Sequence, residues 1–341
     1  MKCIVKTAPG PGNLELQEKE IPVPGEGELL IKVKYAAICG TDIHIKQWAP
    51  FAEARIKPPV TIGHEFVGTV VDVGDKVDES WKGRRVSADS HVPCGKCPMC
   101  RDNKQNLCLI TNGIGITFDG CFAEYLTIPE AVAYPVDDAI PDKAAAIMEP
   151  LGTAVYAATL VNVAGKSVVI QGAGPIGLMA VAVFKKAGAS KVVSVEINEG
   201  RAKAAENVGA DRIINPIEVD IVREIKNEFE GLGPDIVIEC SGNPGAIRNA
   251  TEYVRPGGDI IPIALPSKDV TFNFTETFYK GVNMHGISGR QIFHTWKVMN
   301  GLLKSGMDVS GCISHVYKLD DFEEAFEMME SGKSLKVLFE P

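Results

Sequence analysis

The sequence predicts an α/β fold with two domains, one rich in short β-strands and one built on a doubly wound parallel sheet. Its 341 residues exceed the size at which a single hydrophobic core usually stops growing. Near Pro141 the pattern changes from short strands between glycines and prolines to a regular alternation of strands and helices. A short final strand at 336–339 needs a sheet to join. We therefore predict a discontinuous first domain, residues 1–150 and 290–341, and a second domain of residues 151–289.

Short runs of alternating apolar residues predict the strands of the first domain. They lie at residues 4–6, 14–16, 29–35, 66–73, 86–87 and 122–128. Glycine and proline clusters, such as the one at 9–12, mark the turns between them. Several short strands at this spacing indicate a small barrel-like β domain. The alanine-rich residues 144–160 predict a helix that is interrupted at Pro150.

Strands and helices alternate through the second domain. The predicted strands are 167–170, 191–197, 235–240, 259–264 and 282–287, and the predicted helices are 175–187, 199–208, 219–229 and 246–254. This alternation indicates right-handed crossovers and a parallel sheet with helices on both faces. The tail continues with a helix at 293–304, a strand at 313–317, a helix at 319–330 and the closing strand.

Charge and hydropathy exclude several classes of partner. The net charge is −9 and no cluster of lysine and arginine appears, which excludes a nucleic-acid partner. The N-terminus lacks the apolar core and cleavage site of a signal peptide. The most apolar stretch, residues 174–184, is too short to span a bilayer. We therefore expect a cytoplasmic protein without a membrane partner.

A glycine-rich segment follows the strand at 168–170 and opens a helix. It reads Gly172-Ala-Gly174-Pro175-Ile176-Gly177, and such glycines let backbone N–H groups approach a pyrophosphate at a helix N-terminus. The next strand ends near Glu196, an acid that would accept hydrogen bonds from ribose hydroxyls and repel a 2′-phosphate. NAD is therefore favoured over NADP. Arg201 either contacts a phosphate or lies over the adenine. The alternative is a glycine-rich turn without a ligand.

Four of the nine cysteines form the most specific metal signal of the chain. Cys94, Cys97, Cys100 and Cys108 have the spacing C-x2-C-x2-C-x7-C. Four thiolates close a tetrahedron and leave no open position, which predicts a structural zinc site. The alternative is a group of free reduced thiols.

A second cluster of ligand-type residues begins at Cys39 and continues at His64 and Glu65. Cysteine, histidine and carboxylate are zinc ligands, and a catalytic zinc typically takes three protein ligands and keeps a position open. Glu149 is a further anionic candidate, because a carboxylate in an apolar segment needs a charged partner. Taken singly, Cys39 and His64 could equally be ordinary buried residues.

These motifs together resemble the zinc-dependent medium-chain dehydrogenase/reductase family over essentially the whole chain. The similar stretches include Gly-His-Glu at 63–65, the cysteine lobe and the glycine fingerprint at 172–177. The resemblance implies a GroES-like β-barrel catalytic domain and a Rossmann NAD-binding domain. It also implies zinc-dependent oxidation of a secondary alcohol, with hydride transfer to NAD, by a homotetramer.

The resemblance also implies roles for individual residues. Cys39, His64 and either Glu65 or Glu149 would surround the catalytic zinc, while Thr41 and His44 would form a proton relay. Contacts to NAD would come from the glycine fingerprint and from Ile176, Glu196, Arg201, Ile263, Ala264, Leu265, Ile287 and Ser288.

Two positions depart from the family pattern and leave the substrate open. Thr153 and His294 stand where some members carry asparagine and glutamate. The resemblance implies L-threonine, giving 2-amino-3-oxobutyrate, as the favoured substrate, and the alternatives are a polyol such as sorbitol or xylitol and 2,3-butanediol. A non-catalytic protein that binds NAD and zinc is an alternative of another class, which loss of Cys39, His64 or the fingerprint glycines would have favoured.

Overall fold

The chain folds into two units in this computed structural model, which describes residues 1–266 and 268–341. The first unit contains Met1–Pro150, Gln291–Asn300 and Ile313–Pro341. The second contains Leu151–Arg290 and Gly301–Cys312. Residues 301–312 therefore group with the second unit, whereas the sequence had placed them in the first.

Most strands of the first unit come from its N-terminal segment. They are β1 (Lys2–Lys6), β2 (Leu14–Glu18), β3 (Glu28–Ala37), β4 (Val60–Thr61), β5 (Glu65–Val73), β6 (Arg85–Ala88), β7 (His91–Val92), β8 (Asn112–Gly113), β9 (Tyr125–Pro129) and β10 (Ala133–Pro135). The helices here are α1 (Gly40–Gln47), α2 (Pro50–Arg55), α3 (Pro98–Arg101) and α4 (Asp142–Ala146), while α5 (Met148–Thr159) begins in this unit and continues into the second.

The predicted helix interruption at Pro150 was wrong. Pro150 is the third residue of α5, and the break falls earlier, at Ile147 after α4. Proline is tolerated in the first turn of a helix because the N–H group it lacks would have no partner within the helix.

The second unit contains a parallel sheet between helices. Its strands are β11 (Ser167–Gln171), β12 (Lys191–Val195), β13 (Arg212–Ile214), β14 (Ile236–Glu239), β15 (Asp259–Pro262) and β16 (Asn283–Met284). Its helices are α6 (Pro175–Lys186), α7 (Glu199–Asn207), α8 (Ile221–Glu228), α9 (Pro244–Tyr253) and α10 (Phe274–Tyr279). The strand order is β13-β12-β11-β14-β15-β16. The order reverses between β11 and β14, so the sheet has a topological switch point there.

Two elements of this unit were missed, and one is shorter than predicted. Strand β13 has only three residues, too few for an alternating pattern to appear. Helix α10 contains exposed aromatics and threonines, which have low helix propensity. The predicted strand at 282–287 is reduced to β16.

The tail adds helix α11 (His294–Lys304), strand β17 (Ile313–Tyr317), helix α12 (Phe322–Glu330) and strand β18 (Lys336–Phe339). Short 3-10 helices lie at Glu79–Trp81, Gln105–Leu107, Glu130–Val132, Ser310–Cys312 and Leu319–Asp321. The closing strand β18 pairs antiparallel with β3. The largest sheet of the first unit runs β10-β6-β5-β3-β18-β17, and β9 also pairs with β3.

Aromatic residues anchor the core of the first unit around the closing strand. The ring of Phe122 meets that of Phe339 edge to face at a centroid distance of 5.1 Å. It meets Phe326 of α12 in the same way at 6.4 Å. Helix α12 and strand β18 are therefore part of the hydrophobic core of the first unit. Among the helices of residues 1–266 and 268–341, none is long and apolar enough to cross a membrane.

Candidate functional site

Strand register brings the first predicted metal site together. Strands β3 and β5 pair antiparallel with Ala37 opposite Glu65. The residues that follow β3 therefore lie beside those that precede β5. Cys39 is the N-cap of α1, and His64 immediately precedes β5. The ligand atoms of Cys39, His64 and Glu65 all lie within 4.8 Å of one another, close enough to hold a single metal ion.

A buried carboxylate, Asp42, stands behind His64. One oxygen of Asp42 accepts the Cys39 backbone N–H at 2.8 Å. The other, Oδ1, lies 3.7 Å from His64 Nδ1, and both of these atoms are buried without a hydrogen-bond partner. A small closure would let Nδ1–H donate to Asp42 and would leave Nε2 as the metal-binding nitrogen. Carboxylates commonly orient ligand histidines in this way.

Lys336 of β18 forms a buried ion pair with Glu65. Its Nζ donates to both Glu65 carboxylate oxygens at 2.6 Å and to the Ile38 carbonyl at 3.1 Å. The side chains are 4% and 0% exposed, respectively. The pair thus links the closing strand directly to the ligand cluster.

Glu149 lies near this cluster. Among the residues that the structure describes, however, it is not grouped with Cys39, His64 and Glu65. It is 5% exposed, and its Oε1 accepts a hydrogen bond from the Ser90 hydroxyl. The charge of Glu149 nevertheless reaches the cluster, because it contributes to raising the pKa values of both His64 and Glu65. Between the two carboxylates that the sequence left open, Glu65 is the one grouped with Cys39 and His64.

The electrostatics of the cluster favour a bound cation. Burial alone would lower the pKa of His64, but the charges of Asp42 and Cys39 outweigh it and raise that pKa to about 10. Burial raises the pKa of Glu65 by more than Lys336 lowers it. Negative groups thus exceed positive ones in a buried space, where a divalent cation would compensate them. The sulfur, nitrogen and oxygen donors suit zinc.

The predicted proton-relay residues both lie on α1. The Thr41 hydroxyl is 3.7 Å from Cys39 Sγ, so it lies beside the ligand cluster. His44, one turn further along the helix, is exposed to solvent. The two residues therefore extend from the cluster towards the surface.

The four cysteines of the second predicted metal site converge as well. The Sγ atoms of Cys94, Cys97, Cys100 and Cys108 all lie within 4.8 Å of one another. Backbone N–H groups of Leu109 and Cys100 lower the pKa of Cys97 to about 6. The thiolate is the form that binds metal, so the backbone favours ligation at Cys97, whereas burial raises the pKa of Cys100 to about 12.

The glycine fingerprint of the second unit has the geometry of a phosphate-binding turn. Gly172 has φ +83°, a conformation that side chains disfavour, and a Cβ there would lie 3.1 Å from Ser241 Cα. A Cβ on Gly177 would lie 1.9 Å from the Gly172 carbonyl oxygen. Gly174 caps α6 and Pro175 occupies its first turn. The N-terminus of α6 can therefore receive an anion.

Glu196 follows β12 and contacts the fingerprint loop. Its carboxylate accepts the N–H of Ala173 at 2.7 Å and the N–H groups of Ile197 and Asn198 at 2.9 Å. Carboxylate oxygens have further lone pairs, so acceptor capacity for ribose hydroxyls remains. Arg201 lies in α7, the helix that follows.

The other predicted cofactor residues follow neighbouring strands. The N–H groups of Ile263 and Ala264 donate to the Glu239 carbonyl at 2.8 and 3.2 Å, and Leu265 is 92% exposed. Ile287 and Ser288 lie after β16. All these segments leave the carboxyl edge of the parallel sheet, which is where such sheets bind ligands.

Sequence reasoning missed four residues that organise these sites: Asp42, Ser90, Glu239 and Lys336. Asp42 had a signal, an acid three residues after the N-cap of α1. Glu239 is fully buried, and its carboxylate accepts hydrogen bonds from the backbone N–H groups of Ser241 and Gly242. Its position at the end of a strand, before a glycine, was a weak signal. Ser90 and Lys336 had none, because their partners are 59 and 271 residues away.

Two family models match the chain in the same order as its predicted domains. "Alcohol dehydrogenase GroES-like domain" matches residues 25–138, and "Zinc-binding dehydrogenase" matches residues 175–305. The chain belongs to the zinc-dependent medium-chain dehydrogenase/reductase family, a class of NAD-dependent alcohol dehydrogenases. The predicted family and fold class are thereby confirmed.

Within that class the chain is similar to L-threonine 3-dehydrogenase of Caldanaerobacter subterraneus subsp. tengcongensis. The two are 43% identical over 96% of this chain and 95% of the relative. Among solved structures, a short chain alcohol dehydrogenase from E. coli CFT073 complexed with NADH has a TM-score of 0.92 at 28% identity, covering 100% and 99% of the two chains. The 2R,3R-butanediol dehydrogenase from Bacillus subtilis has a TM-score of 0.90 at 27% identity, with the same coverage.

Proposed function

We propose that this protein oxidises the secondary hydroxyl of L-threonine to give 2-amino-3-oxobutyrate, with zinc at the ligand cluster and NAD as hydride acceptor. The observation that carries the proposal is the buried cluster of Cys39, His64 and Glu65. The full-length similarity to L-threonine 3-dehydrogenase supports the choice of substrate.

Cys39, His64 and Glu65 hold the catalytic zinc in this proposal, and Glu149 is a further carboxylate at the same centre. Zinc, when bound, supplies Lewis acidity that lowers the pKa of an alcohol. Asp42 fixes the His64 ring, and Lys336 orients the Glu65 carboxylate through two hydrogen bonds. These groups keep the donor set fixed and the surrounding space dry.

Thr41 and His44 carry the proton of the alcohol to solvent. Thr41 lies beside Cys39, and its hydroxyl can both accept and donate a proton. His44 is exposed on the same helix and can exchange protons with water.

The glycine fingerprint holds the pyrophosphate of NAD at the N-terminus of α6, and Glu196 accepts hydrogen bonds from the adenosine ribose. NAD, when bound, supplies the hydride acceptor. Ile176, Arg201, residues 263–265 and residues 287–288 complete the cofactor contacts. The cysteine lobe holds the second, structural zinc.

A side-by-side assay tests the substrate. NADH formation is followed with L-threonine, sorbitol, xylitol and 2,3-butanediol, before and after removal of zinc. We expect the highest kcat/KM with L-threonine and loss of turnover on zinc removal, recovered when zinc is returned. A higher kcat/KM with a polyol or diol would refute the substrate. Unchanged turnover without zinc would refute the metal-dependent chemistry.

The second candidate substrate is a vicinal diol. The structural similarity to a 2R,3R-butanediol dehydrogenase supports it. The same assay separates the two substrates.

We also propose a cytoplasmic homotetramer. The second unit exposes a set of large apolar side chains, Leu265, Phe274, Phe278 and Tyr279, which are 69–92% exposed. Large apolar side chains exposed in this way are typical of protein–protein interfaces. Sedimentation velocity measures the assembly directly, and a monomer at micromolar concentration would refute it.

A further inference from the structure

We propose that Ser90 is a positioning residue for the metal centre. Its hydroxyl donates to Oε1 of Glu149 and so fixes how that carboxylate faces the catalytic zinc. The inference rests on the proposed zinc at Cys39, His64 and Glu65. It concerns residues that the sequence motifs do not include.

The contact between Ser90 and Glu149 is buried on both sides. The two residues are 6% and 5% exposed, respectively. A hydroxyl that donates to an ionised carboxylate makes a charge-assisted bond, about twice as strong as a neutral one. Without it, Glu149 would lose a donor that stabilises its charge in a dry environment. Ser90 therefore holds a buried carboxylate by a charge-assisted hydrogen bond.

The main chain holds Ser90 in place from two sides. The Ser90 carbonyl accepts the Ile114 N–H at 3.0 Å, and the adjacent Asp89 N–H donates to the Val132 carbonyl at 3.0 Å. The hydroxyl is thus presented from a fixed backbone. A hydroxyl that is held in this way favours one orientation of the carboxylate to which it donates.

His91 gives the Ser90 hydroxyl its direction. His91 Nδ1 lies 3.4 Å from Ser90 Oγ. Ser90 has one proton and donates it to Glu149, so His91 can interact with Ser90 only as a donor, with its proton on Nδ1. Asp89 Oδ1 lies 3.5 Å from the same nitrogen and favours that protonation. The result is a chain of two hydrogen bonds, in which His91 donates to Ser90 and Ser90 donates to Glu149.

The negative charge of Glu149 acts on the buried groups of the metal site. Burial alone would lower the pKa of Lys336, but the charges of Glu65 and Cys39 raise it, and Glu149 adds to that effect. The same carboxylate contributes to raising the pKa of His64.

The test compares Ser90→Thr with Ser90→Val, which have nearly the same volume and differ by a hydroxyl. Zinc release to the chelator 4-(2-pyridylazo)resorcinol is followed in both, with kcat and KM for L-threonine. Cys39→Ser identifies the phase that comes from the catalytic site. Loss of a residue that orients a metal ligand typically costs about 10–100-fold in metal affinity or activity. We expect that loss in S90V and in Ser90→Ala, and values near wild type in S90T.

Ser87→Ala is the matched control. Ser87 lies in β6, three residues before Ser90, and its hydroxyl is buried without a hydrogen-bond partner. We expect S87A to release zinc at the wild-type rate. Equal zinc release from S90T and S90V, wild-type behaviour of S90A, or an equal defect in S87A would each overturn the proposal.

Zinc release needs no substrate. A wild-type protein that is inactive on L-threonine would therefore refute the proposed substrate and leave this test intact. Thermal unfolding of each variant separates a loss of metal from a failure to fold. If S90V does not fold, the comparison of S90A with S90T decides the question.

Discussion

Replacing Lys336 with methionine should destabilise the first unit strongly, because Glu65 would lose the buried lysine that bonds to both of its carboxylate oxygens. The wild-type pair is almost completely buried, with Nζ bonded to both carboxylate oxygens at 2.6 Å. Methionine keeps most of the side-chain volume and removes the charge. Removing one partner of a buried ion pair typically costs about 3–5 kcal/mol. For a domain of 150–250 residues this corresponds to roughly 6–20 °C in unfolding temperature.

The loss of stability caused by replacing Lys336 with methionine should depend on pH and on bound zinc. In the wild type the pKa of Lys336 is raised, so its stabilising effect is present below the ordinary lysine pKa of 10.5 and is lost as pH rises through the folded value. In K336M, Glu65 stays buried without the lysine, so its already raised pKa rises further. Protonation of Glu65 then relieves the penalty as pH falls towards the ordinary glutamate value of 4.5. Bound zinc should also reduce the penalty, because it supplies a positive charge.

The assay is chemical unfolding of zinc-free wild type, K336M, Glu65→Gln and the double variant, at neutral and acidic pH. The double-variant cycle isolates the interaction between the two side chains. The double variant should be more stable than K336M alone, because glutamine carries no buried charge. A coupling free energy below about 1 kcal/mol, the range of exposed ion pairs, would refute the argument. A penalty in K336M that grows as pH falls would refute it too.

Three further substitutions test the other parts of the site. Cys39→Ser should abolish turnover while NADH fluorescence titration gives an unchanged Kd; substantial remaining activity would remove Cys39 from the zinc site. His44→Ala should slow turnover and flatten the pH–rate profile, whereas an unchanged profile would exclude His44 from the relay. Gly177→Ala should weaken NADH binding by at least about tenfold, or 1.4 kcal/mol, because its Cβ would lie 1.9 Å from the Gly172 carbonyl oxygen; wild-type affinity would refute the proposed phosphate turn.

The sequence predicted the parts of the fold whose signals are local. The parallel sheet was predictable because buried strands and helices alternate over more than a hundred residues. The glycine fingerprint and the cysteine lobe were predictable because their chemistry depends on short, fixed spacings. Strand β13 and helix α10 were missed because one is too short for a period and the other contains exposed aromatics. The position of the helix break beside Pro150 depended on which helical turn the proline occupies.

The metal-site residues divide in the same way, into those with a local signal in the sequence and those that only the tertiary fold brings to the site. Cys39 and His64 could be proposed from ligand chemistry, but their proximity comes from the register of β3 with β5. Lys336 reaches Glu65 because β18 pairs with β3, a contact between the two ends of the chain. Nothing in the sequence around a lysine near the C-terminus indicates that the lysine has a buried partner. Such pairings depend on the tertiary fold, so local pattern could not predict them.

The charge balance of the first unit explains why these distant residues gather. Cys39, Asp42, Glu65 and Glu149 can each carry a negative charge, and the buried Lys336 offsets one of them. The carboxylates outnumber Lys336 and leave an excess of negative charge in a dry space, which the raised pKa of His64 offsets in the zinc-free centre by keeping its ring protonated until a metal displaces that proton. A divalent cation would remove most of that excess, so metal binding and folding of this unit should be coupled. Lys336 and Ser90 then have similar roles. Each stabilises one carboxylate, and the remaining negative charge is neutralised by the metal.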